Sequence, residues 1–269
     1  MDATPVLAPA GAHWLVPGGA AVAALLVFRL SALLWAAPLF SARTIPGRVR
    51  TALLVTLTLL LWPAAAAGQG AAVNAATILS ELGIGLMLGL GAAIFVGAAE
   101  AAGDMLAVQM GLSGANVVDP MSQTQLPVLG QLLGLLATTL LLASGGHLAI
   151  LGALHRSLEV LPPGSRLDLG AGAMAAVALG GRLLELGLRL AAPVVAAMMV
   201  GNVALGILAR TVPQLNILMV AFPVQIGLGL VVLALTLPAM AGAFSGWTQD
   251  YGSVAAALLD ALTPEATAP

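Results

Sequence analysis

Long apolar runs in this chain are repeatedly broken by residues that cannot sit in a plain membrane-spanning helix. The segments Gly111-Leu112 through Asp119-Pro120 and Arg210-Thr211-Val212-Pro213-Gln214-Leu215-Asn216 fall where such runs meet. Non-helical backbone at membrane depth survives only where protein covers it or water reaches it. A chain of this kind is expected to be covered by other subunits. Hydrophobic residues make up 60% and charged residues 7% of the sequence. Soluble domains carry about 25% charged residues, so the class is a membrane protein. The net charge of −2 points to neither nucleic acid nor an acidic ligand. There is no Cys, which excludes a disulfide framework and a thiolate metal site.

The N-terminus does not read as a cleavable signal. Asp2 and several prolines precede any basic residue, whereas a signal opens on a positive segment. A spanning helix needs about 20 apolar residues, so about five to seven hydrophobic helices fit the chain. They are expected over residues 20–40, 51–63, 77–99, 126–143, 173–200 and 215–244, with Pro193, Pro223 and Pro238 as candidate kinks. Arg43, Arg48 and Arg50 place one connection in the cytoplasm, and the uncharged stretch that follows the second helix suits the opposite side. The N-terminus is then expected outside. Residues 100–125 are read as a connection, residues 156–172 as a Pro-Gly turn with short flanks, and residues 251–269 as a frayed tail. The whole of 1–269 is read as a single domain, with an N-terminal part to about 170 and a C-terminal helix hairpin over about 171–250.

Several positions carry both a functional and a purely structural reading. Arg29 lies inside the first apolar helix, where a charge costs about 2.5 kcal/mol or more. It forms an ion pair or touches a neighbouring subunit; otherwise it snorkels or marks the helix end. Arg182, Glu185 and Arg189 share one helical face, either as a self-satisfied polar stripe or as an assembly contact. Gly85-x-x-x-Gly89 reads as a close helix–helix crossing; with no strand before it, a phosphate loop does not fit. Glu100, Asp104 and Gln109 precede a loosened segment that is unusually apolar for a solvated loop, with Met105, Met110, Leu112, Val117, Val118 and Met121. Flexible Met side chains fill irregular gaps, so the segment reads as a plain loop or as a deformable constriction. Arg210, Pro213, Gln214 and Asn216 form a hairpin turn or a polar assembly contact. Ser144 and His147 lack a nearby acid to orient them, and His147 and His155 lack a third ligand. The reading is therefore non-enzymatic, with no cofactor and no metal.

Taken in order, Phe28-Arg29, Pro38, Phe40, Ile45-Pro46-x-x-Val49-Arg50, Gly85-x-x-x-Gly89, Ala102-Gly103, Gln109-x-Gly111-Leu112, Asp119-Pro120, Gly146-His147, Pro193, Asn202-x-x-Leu205-Gly206 and Arg210-x-x-Pro213-Gln214-x-Asn216 resemble the FliR family. That family includes the T component of injectisome export apparatuses. The resemblance runs over about residues 25–244, and its specific parts are Pro213-Gln214-x-Asn216 and the stretch from Gln109 to Pro120. It implies an all-α, membrane-associated subunit with bent or broken hydrophobic hairpins, within a helical hetero-oligomeric export gate. The implied partners are FliP and FliQ, with FlhB and FlhA, unfolded export substrates and membrane lipid, and no nucleic acid. The implied location is the bacterial inner membrane, in the flagellar basal body. The resemblance also places an inner plug on Gly111, Leu112, Ser113, Gly114, Ala115, Asn116, Val117, Val118, Asp119 and Pro120. Two other readings stay open: an injectisome export-gate subunit, and a secondary transporter with broken helices.

Overall fold

The computed structural model describes residues 19–41, 45–65, 72–112, 128–212, 214 and 217–263. Among the described residues there is no strand, and the chain is all-α. The helices are α1 (Gly19–Ala36), α2 (Pro38–Ser41), α3 (Gly47–Ala65), α4 (Ala75–Gln109), α5 (Val128–Ala143), α6 (Gly146–Val160), α7 (Leu169–Thr211), α8 (Ile217–Ser245) and α9 (Trp247–Leu262). Five of them are long and apolar enough to cross a membrane, or up to six crossings if α5 and α6 count as one broken span. This is a membrane protein.

Local chemistry sets the helix limits. Asn74 and Thr77 cap α4 reciprocally: Thr77 N–H donates to Asn74 Oδ1 at 2.9 Å and Asn74 N–H to Thr77 Oγ1 at 3.0 Å. This is a capping box with a hydroxyl in place of the usual carboxylate. Asp168 caps α7, accepting from Ala171 N–H at 2.9 Å through Oδ1. Between α5 and α6 the chain bends sharply at Ser144-Gly145, where Gly145 takes a φ of 80° that L side chains rarely adopt.

The described residues group into two compact units. The first draws on Met1–Ala93, His147–Ala178 and Gln249–Pro269. Here α1 crosses α4 at the two glycines. A Cβ on Gly85 would collide with the Arg29 carbonyl oxygen, and one on Gly89 would lie 2.6 Å from Ala36 Cβ. The close-crossing reading of Gly85-x-x-x-Gly89 is what the structure realises. On α9, Tyr251 is fully buried and its hydroxyl donates to Leu88 O at 3.2 Å. Burial raises the Tyr251 pKa above the ordinary phenol value, so the group stays a donor.

The second unit draws on Ile94–Gly146 and Leu179–Thr248. Gly103 sits against α5, where a Cβ would lie 2.5 Å from Leu129 O. Phe95 meets the fully buried Trp247 edge-on, with ring centroids 5.4 Å apart.

Three expectations need correcting. The third apolar helix does not end at residue 99; α4 runs through Glu100 and Asp104 to Gln109. Ala101, Ala102, Met105, Leu106 and Ala107 are good helix formers, and charged residues do not stop a helix. Residues 156–160 belong to helix α6 rather than to the turn, which is confined to 161–168. Residues 251–262 of the expected frayed tail are helical, because Tyr251, Val254, Ala255, Leu258, Leu259 and Leu262 recur on one helical face and are all buried.

Candidate functional site

Arg29 is the most deeply committed charge in the first unit. Its Nε donates to Glu81 Oε2 at 2.6 Å, and neither side chain reaches solvent. Nη1 donates to Ser157 O at 3.0 Å and to Ser157 Oγ at 3.1 Å, while Nη2 donates to Leu161 O at 2.8 Å. The second Glu81 oxygen accepts from Gly164 N–H at 2.9 Å, at a turn where Gly164 has a φ of 88°. A buried ion pair survives desolvation only when its remaining donors and acceptors are satisfied, and these are. The ion-pair reading of Arg29 therefore describes a contact within the chain; at 0% exposure the side chain offers nothing to a neighbouring subunit. Glu81 went unnoticed in the sequence. Its signal was its isolation, an acid at the start of a charge-free run, opposite in sign to Arg29.

In the second unit, the end of α4 meets the α7–α8 hairpin. Met110 is fully buried against Gly229, where any Cβ would collide with its side chain. Gly111 then leaves the helix with a φ of 72°, the left-handed conformation that glycine adopts at helix ends. A Cβ on Gly111 would lie 3.0 Å from Phe222 Cδ1 and 3.2 Å from Gln225 Oε1. Gln225 in turn donates through Nε2 to Asn202 Oδ1 at 2.8 Å. Of the expected plug, Gly111 is thus placed beside α8, and Leu112 follows it as an exposed residue. Ser113, Gly114, Ala115, Asn116, Val117, Val118, Asp119 and Pro120 lie outside the described residues.

About two and three turns before Gly111, Asp104 and Glu100 lie over a notch in α5 made by Gly130 and Gly134. A Cβ on Gly134 would sit 2.5 Å from Glu100 Cγ, and one on Gly130 would collide with Asp104 Oδ1. The notch is filled by carboxyl groups of the same unit.

The stripe on α7 is exposed. Arg189 Nη2 pairs with Glu185 Oε1 at 2.6 Å, and Arg182 stands one turn earlier on the same face. Around it Val177, Leu184, Leu188, Met199 and Val200 are also exposed. Arg210 and Gln214 are exposed, while Pro213 and Asn216 lie outside the described residues. The structure therefore does not join the stripe to the Arg210 turn as one site. No cluster of three or more metal-binding side chains occurs among the described residues.

Residues 20–251 match the family described as bacterial export proteins, family 1. The chain belongs to this family. It is 33% identical over 219 residues to the flagellar biosynthetic protein FliR of Escherichia coli (strain K12), covering 80% of this chain and 84% of that one. It is 30% identical over 216 residues to FliR of Bacillus subtilis (strain 168), covering 78% and 83% respectively. It is 24% identical over 218 residues to the surface presentation of antigens protein SpaR of Salmonella typhimurium, covering 80% and 82%. The FliR family thus spans nearly all the described helices of this chain, including Arg29, Glu81, Asn202, Gly111 and Gln225.

Proposed function

We propose that this chain is a structural and gating subunit of the flagellar type III export channel in the bacterial inner membrane. It acts there as one non-enzymatic module over residues 1–269, beside FliP and FliQ and together with FlhB and FlhA. Unfolded flagellar substrates pass through the assembly. Gly111 to Pro120 seal the resting pore, and Arg182, Glu185, Arg189, Arg210, Pro213, Gln214 and Asn216 meet neighbouring subunits. The similarity to FliR proteins from several bacteria supports the flagellar branch over the injectisome branch, where identity is lower.

One observation carries the need for partners. In the apolar stretches of α7 and α8 only 17% and 11% of residues are buried, against 61% in α4. Lipid can cover the 24-residue apolar stretch of α8, but it is a poor cover for the whole of α7. With 43 residues, α7 extends about 64 Å, twice the roughly 30 Å of a bilayer core. A tilt large enough to hide that length exceeds the usual range of about 0–40°. Part of α7 then lies outside hydrocarbon, with an apolar face and an ion pair that other protein chains can cover. Co-purification with tagged FliP and FliQ, followed by mass measurement of the intact complex, tests this. A stoichiometric hetero-oligomer is expected. A stable solitary monomer, with α7 and α8 shielded by detergent alone, would overturn it.

A further inference from the structure

The two amides Asn202 and Gln225 are unusual company for their helices. Each stands half-buried in an apolar stretch of α7 or α8, and they spend a donor and an acceptor on each other at 2.8 Å. Amides in such surroundings are costly unless paired. Pairing explains why the two persist together, but not why they sit where they do. Their position is explained by what lies against them. The Gln225 carbonyl oxygen, held by the bond that its nitrogen makes to Asn202, faces Gly111 at the point where α4 ends. One turn further along α8, Gly229 opens the space that the Met110 side chain fills. The two residues that follow α4 are therefore both held, Met110 packed at Gly229 and Gly111 lying on the Gln225 amide. Asn202 supplies the fixed point, since an unpaired Gln225 side chain would be free to change rotamer.

We propose that the Asn202–Gln225 pair is the seat that fixes the exit of the chain from α4. In this role both are positioning residues: they act through Gly111 and need not touch a substrate. The functional consequence rests on the gating role proposed above, because a loosened exit would let the channel leak at rest. The bond is the sensitive element. Losing one hydrogen bond shifts a two-state balance by about five-fold.

The test uses cells that carry the complete export apparatus. Ion permeability of the membrane is measured without substrate, together with the amount of assembled complex. Four variants are compared with the wild type: Asn202→Leu, Gln225→Met, the double variant, and a deletion of residues 113–118. Each single substitution is expected to raise the resting leak about five-fold with the amount of complex unchanged, and the double variant no more than either single. A tight membrane in both single variants, with a leaky deletion, overturns the seat and leaves the gating reading standing. A tight membrane in the deletion overturns both. Gln225→Glu covers the case in which the apolar substitutions reduce assembly. It keeps the size of the side chain and replaces the donor by an acceptor. It is expected to leak like the others, and a normally assembled, tight Gln225→Glu complex overturns the proposal.

Discussion

Arg29 Nε and Glu81 Oε2 lie 2.6 Å apart with both side chains fully buried, and they join helices 52 residues apart in sequence. With Ser157, Leu161 and Gly164 they form a closed polar node in an otherwise apolar unit. Removing one member leaves the other as an uncompensated buried charge, which costs about 3–5 kcal/mol. That is a large share of the stability of an ordinary domain. Glu81→Ala is expected to deplete the chain from membranes, as is Arg29→Ala. The double variant Arg29→Leu with Glu81→Leu is expected to recover much of the loss, because the unpaired charge is gone. Immunoblots of membrane fractions, with thermal unfolding of the purified complex, measure both; a double variant worse than either single would contradict the account.

The α1–α4 crossing gives a second expectation. At Gly85 and Gly89 the backbone and Ala36 of α1 occupy the place where a side chain would go. An added methyl group cannot be absorbed by turning a flexible side chain aside, so the helices must separate. Overpacking of this kind costs about 1–3 kcal/mol. Gly85→Ala is expected to lower the midpoint of thermal unfolding. Gly152→Ala, where nothing lies within 4 Å, is expected to be neutral or slightly stabilising. Equal effects at the two positions would refute the close crossing.

The notch in α5 is testable by suppression. Gly134→Ala pushes a methyl group into Glu100 Cγ, and Glu100→Ala removes the atom it meets. The single Gly134→Ala variant is expected to lose about 1–3 kcal/mol. Adding Glu100→Ala should return most of it, a coupling that contacting residues show and distant ones do not. Simple addition of the two effects, read by thermal unfolding, would mean that the carboxyl group does not occupy the notch.

How far the sequence foretold this depended on whether each signal was local. Arg29 announced itself as a charge in an apolar run, but its partner lies 52 positions away, and single-chain periodicity cannot choose among distant acids. Gly111 is marked in the sequence only by the family resemblance, because the helix expected over 77–99 stops well short of it; its place at a helix end emerges from the length of α4. Asn202 lay within a noted motif, while Gln225 stood alone in the charge-free stretch 211–249; their meeting is a property of the hairpin that brings α7 beside α8. The buried face of α9 was readable from Tyr251 to Leu262 by its helical spacing alone. The short tail's closing Pro264-Glu265-Ala266-Thr267-Ala268-Pro269 draws the reading of the whole segment toward fraying. The end of α4 is not legible for a physical reason: Glu100 and Asp104 read as the limit of the apolar run, although Gly130 and Gly134 make room for them on the next helix.

The exposed pair Glu185–Arg189 separates a solvated ornament from an assembly contact. Their side chains are 58% and 73% exposed in the isolated chain. Facing water, such a pair contributes about 0.2–1 kcal/mol and its loss would scarcely be felt. Facing bare lipid it would be expensive, since a charge at membrane depth costs about 2.5 kcal/mol or more. Covered by a partner, each charge has a definite place and sign. Glu185→Ala and Arg189→Ala are then expected to leave the amount of this chain unchanged while lowering the recovery of the hetero-oligomer about ten-fold, equivalent to about 1.4 kcal/mol of association. Exchanging the two, Glu185→Arg with Arg189→Glu, preserves an internal pair but reverses what a partner would read. It is expected to fail in assembly as the single variants do. Pull-down with a tagged partner subunit, quantified against total membrane protein, decides the matter: full assembly by the exchanged pair would leave the stripe serving only its own helix.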